Sequence, residues 1–122
     1  MSKTILVVDD SFSLRQALGI ALRSSGYDVV EAEDGRDALK KCDGRKFNLI
    51  ISDVNMPNMD GISFVKAVKT QAPYRFTPII MLTTESDKEK VNQGKEAGVR
   101  AWVIKPFQPA TLLDAVSKLI MQ

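Results

Sequence analysis

The side chains of this chain that could carry chemistry stand directly after short apolar runs. They are Asp9 and Asp10 after residues 5–8, Asp53 after 49–52, Thr83 after 79–82, and Lys105 after Ala101–Ile104. Short uninterrupted apolar runs are typical of strands that are covered on both faces. Carboxyl ends of parallel strands share one edge of the sheet, where open α/β folds bind their ligands. Each residue alone could be a helix cap, a turn former or a solvated charge, but their recurrence at four strand ends predicts a functional cluster.

The predicted cluster has the composition of a site for phosphoryl transfer. Three carboxylates held close together repel one another unless a cation joins them, and an all-oxygen site suits Mg²⁺. Lys105 supplies a positive charge for an anion and Thr83 a hydroxyl donor, which together with the cation can neutralise a phosphoryl group. The chain has no histidine, and Cys42, its one cysteine, does not lie at this edge. The nucleophile must therefore be a carboxylate, and Asp53 on the middle strand is the best placed.

The composition is that of an ordinary soluble domain. The chain has 122 residues, of which 44% are hydrophobic and 26% charged, and its net charge is +2. That charge is too small to indicate a nucleic acid or an anionic membrane as a partner. With one cysteine there is no internal disulfide, which suits a reducing cytosol, and we favour Cys42 as a small core residue over a reactive thiol. We find no signal peptide or membrane span and expect a cytoplasmic protein.

The elements that must position these residues alternate between strand and helix five times. Asp28 to Ala32 supplies a further strand, expected near an edge of the sheet. Helices are predicted after Ser11 or Asp10, after Asp34, from about Asp60, over residues 86–96 with a Ser86/Glu89 capping box, and from Pro109. The helix over residues 86–96 is unusually polar, so we expect it to be held weakly. The alternation predicts an α/β fold, a doubly wound (βα)5 domain with a parallel sheet in the flavodoxin-like order 2-1-3-4-5.

The motifs of the cluster resemble the receiver domain of two-component response regulators. The matching residues are Asp9-Asp10, Asp53, Thr83, Lys105-Pro106-Phe107 and the turn Asp53-x-x-Met56-Pro57-x-Met59-x-Gly61. The resemblance covers the whole chain, so we expect residues 1–122 to form a single receiver domain without an output domain. Asn55 and Glu85 bring the chain especially close to the chemotaxis members of this family.

The resemblance implies a phosphorylation site that depends on magnesium. Asp53 would accept a phosphoryl group from a phosphohistidine on a partner histidine kinase. Asp10 and Asp53 would bind Mg²⁺ by their side chains and Asn55 by its backbone carbonyl, with Asp9 acting through water. Lys105 would pair with the phosphoryl group.

The resemblance also implies a switch. Thr83 would move to hydrogen-bond the phosphoryl group, and Asn55 and Glu85 would set the lifetime of the phosphorylated state. The bond between Lys105 and Pro106 is a candidate cis peptide. Trp102 stands where the family usually has a tyrosine or phenylalanine as its switch aromatic. The alternative for Trp102 is a strand aromatic that packs on the last helix.

We therefore expect a stand-alone, monomeric response regulator that catalyses only its own phosphorylation and dephosphorylation. It would control a partner, such as a flagellar motor switch, through the face formed by helix 86–96, the last strand and the last helix. A phosphorelay shuttle or a phosphate sink would have the same site. A phosphohydrolase of the haloacid-dehalogenase kind is disfavoured, because Asn55 replaces its second aspartate. A binding module that needs no phosphate remains an alternative, whereas Asp9-Asp10-Ser11 disfavours dinucleotide binding.

Overall fold

The computed structural model describes residues 3–84 and 88–120. The strands are β1 (Thr4–Val8), β2 (Asp28–Ala32), β3 (Leu49–Asp53), β4 (Ile79–Thr83) and β5 (Ala101–Ile104). The helices are α1 (Phe12–Ser24), α2 (Gly35–Lys41), α3 (Gly61–Lys69), α4 (Lys88–Ala97) and α5 (Pro109–Ile120), with a short 3-10 turn at Ala72–Tyr74. All strand pairs are parallel, in the order β2-β1-β3-β4-β5. The predicted fold class and strand order are confirmed, with β2 at an edge as expected.

The sheet lies between two layers of helices because its central strands are apolar on both faces. Alternate residues of a strand point to opposite faces, so each strand contributes to two cores. One core joins the sheet to α2, α3 and α4 and the other joins it to α1 and α5. Strands β3 and β4 are buried along their whole length. The sheet is therefore a rigid support for whatever its strand ends carry.

Side-chain caps fix where the first three helices begin. Ser11 accepts a hydrogen bond from the backbone of Leu14, Asp34 from that of Asp37, and Asp60 from that of Ser63. Of the two candidates for the first cap, Ser11 takes the role, so the carboxylate of Asp10 is not used there. Such caps each stabilise a helix by about 1 kcal/mol.

Two further predictions concern α4 and Cys42. The structure describes α4 from Lys88, so the expected capping residue Ser86 lies outside the described residues. Only Gly94 of α4 is fully buried, in keeping with the polar sequence.

Cys42 caps the end of α2 and is buried, and burial raises the pKa of its thiol to about 11. A thiol that stays protonated is a poor nucleophile, which supports the core assignment. Within the described ranges no helix is long and apolar enough to cross a membrane.

Gly61 closes the turn that follows β3. Its N–H donates to the carbonyl of Val54 at 2.8 Å. A Cβ added at Gly61 would stand 2.1 Å from the carbonyl oxygen of Asp53, far inside van der Waals contact. Only glycine therefore allows α3 to start directly behind the residue that ends β3.

We predict that Gly61→Ala destabilises the protein by about 3 kcal/mol, because the methyl group must push the Asp53 backbone away. Urea denaturation measures the change. Gly19→Ala in α1 is the matched control, since a Cβ there meets chiefly the flexible end of Arg23. Alanine also favours a helix over glycine by up to about 1 kcal/mol. Equal stabilities for Gly61→Ala and Gly19→Ala would contradict the close approach.

Candidate functional site

The register of the sheet brings the predicted residues to one edge. Val8 of β1 pairs with Ser52 of β3, Asp53 pairs with Leu82 of β4, and Thr83 pairs with Ile104 of β5. The residues that follow these pairs leave the sheet on the same side. Asp9, Asp10, Asp53, Thr83 and Lys105 are thus gathered at the carboxyl ends of four strands, as the sequence predicted.

The three acids and the lysine form a compact cluster. One carboxylate oxygen from each of Asp9, Asp10 and Asp53 lies within 4.8 Å of the other two. The ammonium of Lys105 is 3.1 Å from Asp53 Oδ2 and 3.4 Å from Asp9 Oδ2. Asp9 is 0% and Asp53 8% exposed, whereas Asp10 faces solvent. An all-oxygen donor set with one open side fits a hydrated Mg²⁺.

Backbone amides orient both buried carboxylates. The N–H of Val54 donates to Asp53 Oδ1 at 2.8 Å, and the N–H of Ser11 donates to Asp9 Oδ1 at 2.8 Å. In each carboxylate the other oxygen, Oδ2, faces Lys105. The side chains are therefore held in fixed directions before any ligand arrives.

The electrostatics of Asp53 are dominated by burial. Burial raises the pKa of Asp53, the nearby charge of Asp9 raises it further, and Lys105 only partly offsets both. The charged form of Asp53 is thus disfavoured in the protein alone. A divalent cation beside the three acids would reverse this, because opposite charge favours ionised carboxylates.

The loop after β3 is anchored at a distance from the acids. Asn58 adopts a left-handed backbone with a φ of 68°, and its side-chain amide donates to Asp34 Oδ2 at 2.8 Å. Asp34 also caps α2 by accepting a hydrogen bond from the backbone amide of Asp37. This bond, and to a smaller extent the one from Asn58, lowers the pKa of Asp34. The N–H of Gly35 donates to the Met59 carbonyl at 3.3 Å. Contacts with the start of α2 therefore fix the loop that carries Asn55.

Asn55 itself is exposed on this loop, and its side-chain oxygen accepts a hydrogen bond from Lys90 of α4. This contact links the loop next to the acids with the polar helix. Lys90 could not be identified from the sequence, because one lysine among several on a polar helix is not distinctive. Glu85, the other residue expected to set the phosphoryl lifetime, lies outside the described residues.

Thr83 and Lys105 are joined through the backbone. The N–H of Lys105 donates to the Thr83 carbonyl at 2.7 Å, and the Thr83 hydroxyl donates to the Thr84 carbonyl at 3.3 Å. Thr83 is buried at the end of β4. The bond between Lys105 and Pro106 is cis, as the resemblance implied.

Trp102 lies apart from the acids and packs on α4. A Cβ added at Gly94 would stand 2.4 Å from two carbons of the indole, so the ring covers the bare backbone of this glycine. Trp102 belongs to the core on the α3 and α4 side of the sheet. The alternative in which it packs on the last helix is therefore wrong, because its strand position points it to the opposite face. Its indole N–H is buried without a hydrogen-bond partner among the described residues.

Comparison with known proteins identifies the family. A family model described as the response regulator receiver domain matches residues 5–117, and the chain belongs to that family. Chemotaxis protein CheY1 of Helicobacter pylori (strain ATCC 700392 / 26695) is 39% identical over 118 residues, 95% of each chain. The structure of the chemotaxis response regulator CheY4 of Vibrio cholerae has a TM-score of 0.92 and 50% identity, and the match covers 98% of this chain and 99% of that one.

A second related structure carries a metal ion. It is the receiver domain of a sensor histidine kinase from Pseudomonas aeruginosa PAO1, with a magnesium ion coordinated in its active-site cleft. It has a TM-score of 0.91 and 28% identity to this chain, and the match covers 100% of both chains.

We predict that Asp53→Asn stabilises the metal-free protein at about pH 7, because the amide removes a carboxylate whose charged form the site disfavours. A raised pKa in the folded state means that the folded protein loses stability as the pH rises through that pKa. The advantage of asparagine should therefore shrink on acidification toward the ordinary aspartate pKa, about 3.9. Thermal unfolding in a chelator at several pH values measures it.

The control for this prediction is Asp114→Asn, which changes an exposed acid that pairs with Lys118 on the surface of α5. It should change the stability little at any pH. Asp53→Asn that is less stable than the parent protein at neutral pH would contradict the unfavourable charge at Asp53.

Proposed function

We propose that Asp53 is the phosphoacceptor of a magnesium-dependent response regulator. The observation that carries the proposal is the contact of Lys105 with Asp53 inside a cluster of three carboxylates. A buried nucleophile, a counter-charge for the incoming anion and an acidic cation site are the parts that phosphoryl transfer needs. The family supports the same role.

The residues that would hold Mg²⁺ are Asp10 and Asp53 by their side chains and Asn55 by its carbonyl, with Asp9 acting through water. Bound there, the cation supplies charge neutralisation for the carboxylates and the phosphoryl oxygens. The exposed position of Asp10 leaves one side open for water and phosphate. The magnesium site of the related Pseudomonas domain supports this assignment.

The phosphoryl group would come from a phosphohistidine of a partner kinase. A carboxylate oxygen of Asp53 attacks phosphorus, the P–N bond breaks, and its electron pair returns to the imidazole. The product is an acyl phosphate on Asp53, with Lys105 placed to pair with a phosphoryl oxygen. Water attack on this phosphorus returns the carboxylate and releases phosphate, and we assign control of that rate to Asn55 and Glu85.

A protein donor is supported by the surface beside the acceptor. An apolar cavity of about 600 Å³ lies between α1 and α5 and reaches Lys105, and its lining includes Leu14, Leu18, Phe107 and Leu112. A small phosphodonor has no use for such a surface. A protein that delivers its phosphoryl group to Asp53 would cover it.

The output would be a shift of conformation on the side of α4. Phosphorylation adds charge and acceptor oxygens at Asp53, to which Thr83 and Lys105 respond. Thr83 shares a backbone hydrogen bond with Lys105, and Trp102 lies three residues before Lys105 on β5. Movement of Trp102 would break the contact between its ring and Gly94 and would let the buried indole N–H hydrogen-bond to water. That new hydrogen bond favours the shift.

The face that changes would consist of α4, β5 and α5. It already exposes Ile104, an aliphatic side chain that is 49% exposed. The chemotaxis relatives support a role in chemotaxis signalling, and a flagellar motor switch is the target that we propose.

We predict that incubation with acetyl phosphate and Mg²⁺ adds one phosphoryl group to the protein, and that peptide mapping after borohydride reduction places it on Asp53. Intact mass spectrometry measures the gain. Asp53→Asn should show none, whereas the surface variant Asp114→Asn should react like the parent protein. Reaction without Mg²⁺, or phosphorylation that survives in Asp53→Asn, would refute the proposed site.

We predict that beryllofluoride with Mg²⁺ changes the fluorescence emission of Trp102, the sole tryptophan, because the indole ring moves away from its contact with Gly94. Fluorescence spectra and acrylamide quenching measure the change. Gly94→Ala, whose methyl group displaces the ring, should resemble the activated protein before beryllofluoride is added. Thr83→Ala should reduce the response, while unchanged emission and quenching in the parent protein would rule out Trp102 as the switch.

A further inference from the structure

Arg15 of α1 lies behind Asp9 and contacts its backbone. The guanidinium donates from Nη1 to the Asp9 carbonyl oxygen at 2.7 Å, and its Nε is 3.4 Å from Glu31 Oε1 on β2. Its Cζ lies 5.6 Å from the centre of the Phe12 ring. The Arg15 side chain is only 14% exposed. The resemblance assigned no role to this residue.

The position of Asp9 depends on such contacts because it follows the last residue of β1. Its N–H still donates to Ala32 of β2 at 3.1 Å, but its carbonyl lies beyond the sheet and accepts from Arg15 instead. A buried carbonyl that loses its hydrogen-bond partner is unfavourable, so the backbone that carries it moves until it finds another partner. Arg15 therefore fixes the backbone between the strand and the two acids.

Arginine suits this task for a geometric reason. Its planar fork donates to the Asp9 carbonyl and faces Glu31 at the same time, which a lysine cannot reproduce. Glu31 is in turn 3.5 Å from Arg23. Arg15, Glu31 and Arg23 thus form a network of ion pairs, and Arg15 is the member that contacts the Asp9 backbone.

We propose that Arg15 is a positioning residue for the divalent cation. By holding the Asp9 backbone it sets where the carboxylates of Asp9 and Asp10 stand relative to Asp53. The inference rests on the magnesium site proposed above. Residues that orient metal ligands from behind commonly change metal affinity by roughly 10- to 100-fold when they are replaced.

The sign of the effect separates positioning from simple charge. Arg15 is a cation near a cation site, so electrostatics alone predicts that Arg15→Gln binds Mg²⁺ more tightly. Positioning predicts the opposite, because the loosened backbone lets the carboxylates move apart. Arg15→Lys keeps the charge but not the fork, so positioning predicts weaker binding there as well.

The experiment is a calorimetric titration of the unphosphorylated protein with Mg²⁺ at constant ionic strength. We expect Arg15→Gln and Arg15→Lys to raise the Kd by roughly tenfold. Arg23→Gln is the matched control, since it removes a charge from the same network without touching Asp9, and its Kd should stay unchanged. Thermal unfolding in a chelator confirms that each variant is folded. If Arg15→Gln does not fold, Arg15→Lys alone serves as the test.

The outcomes separate this inference from the proposed function. Parent protein that binds no Mg²⁺ would refute the magnesium site itself. If the parent protein binds Mg²⁺, two results would overturn the role of Arg15 but not the magnesium site. One is equal or tighter binding in Arg15→Gln, and the other is parental affinity in Arg15→Lys. An equal loss of Mg²⁺ affinity in Arg23→Gln would also overturn the role of Arg15, because the ion-pair network would then act through the general stability of the protein.

Discussion

The repulsion between carboxylates at the ends of β1 and β3 is the constraint on which the rest of this structure depends. Asp9, Asp10 and Asp53 bring oxygens within 4.8 Å of one another, and Lys105 is the ammonium that contacts two of them. Carboxylates this close repel one another, and burial together with the charge of Asp9 raises the pKa of Asp53. They stay together because the strand ends and the backbone amides hold them. A divalent cation bound among the three acids would relieve this repulsion.

Holding the acids in place explains features that lie away from them. Gly61 lets α3 start against the backbone of Asp53, and Asn58 ties the following loop to the start of α2. Ser11 takes the cap of α1, so that Asp10 faces outward. The contact between the sheet and α4 is less extensive, since α4 buries only Gly94 fully, and Trp102 leaves its N–H without a partner among the described residues. In the switch that we propose, a charge change at the acid cluster would move α4, because this helix buries so little of its own surface.

The sequence was enough to predict the strands, the sheet order and the residues at the strand ends, because each depends on local patterns joined by a known topology. Apolar runs and caps such as Asp34 specify elements, and parallel strands bring their carboxyl ends together. The packing partner of Trp102 was harder to predict, because the alternation of a strand does not indicate which helices cover each face, and the contact with Gly94 joins two elements. Long polar side chains such as Arg15 and Lys90 were not identified at all. Their contacts cross between elements, and nothing in their neighbours along the chain indicates which atom they reach.

Direct titration of the Asp53 carboxyl group by carbon-13 NMR tests the central claim, that the fold holds this acid in an unfavourable charged state which a divalent cation relieves. In a chelator the titration midpoint should lie above the ordinary aspartate value of about 3.9, because burial and Asp9 both raise the pKa. With saturating Mg²⁺ the midpoint should fall, since the cation stabilises the carboxylate. An ordinary midpoint in the chelator, or one that Mg²⁺ leaves unchanged, would contradict the account.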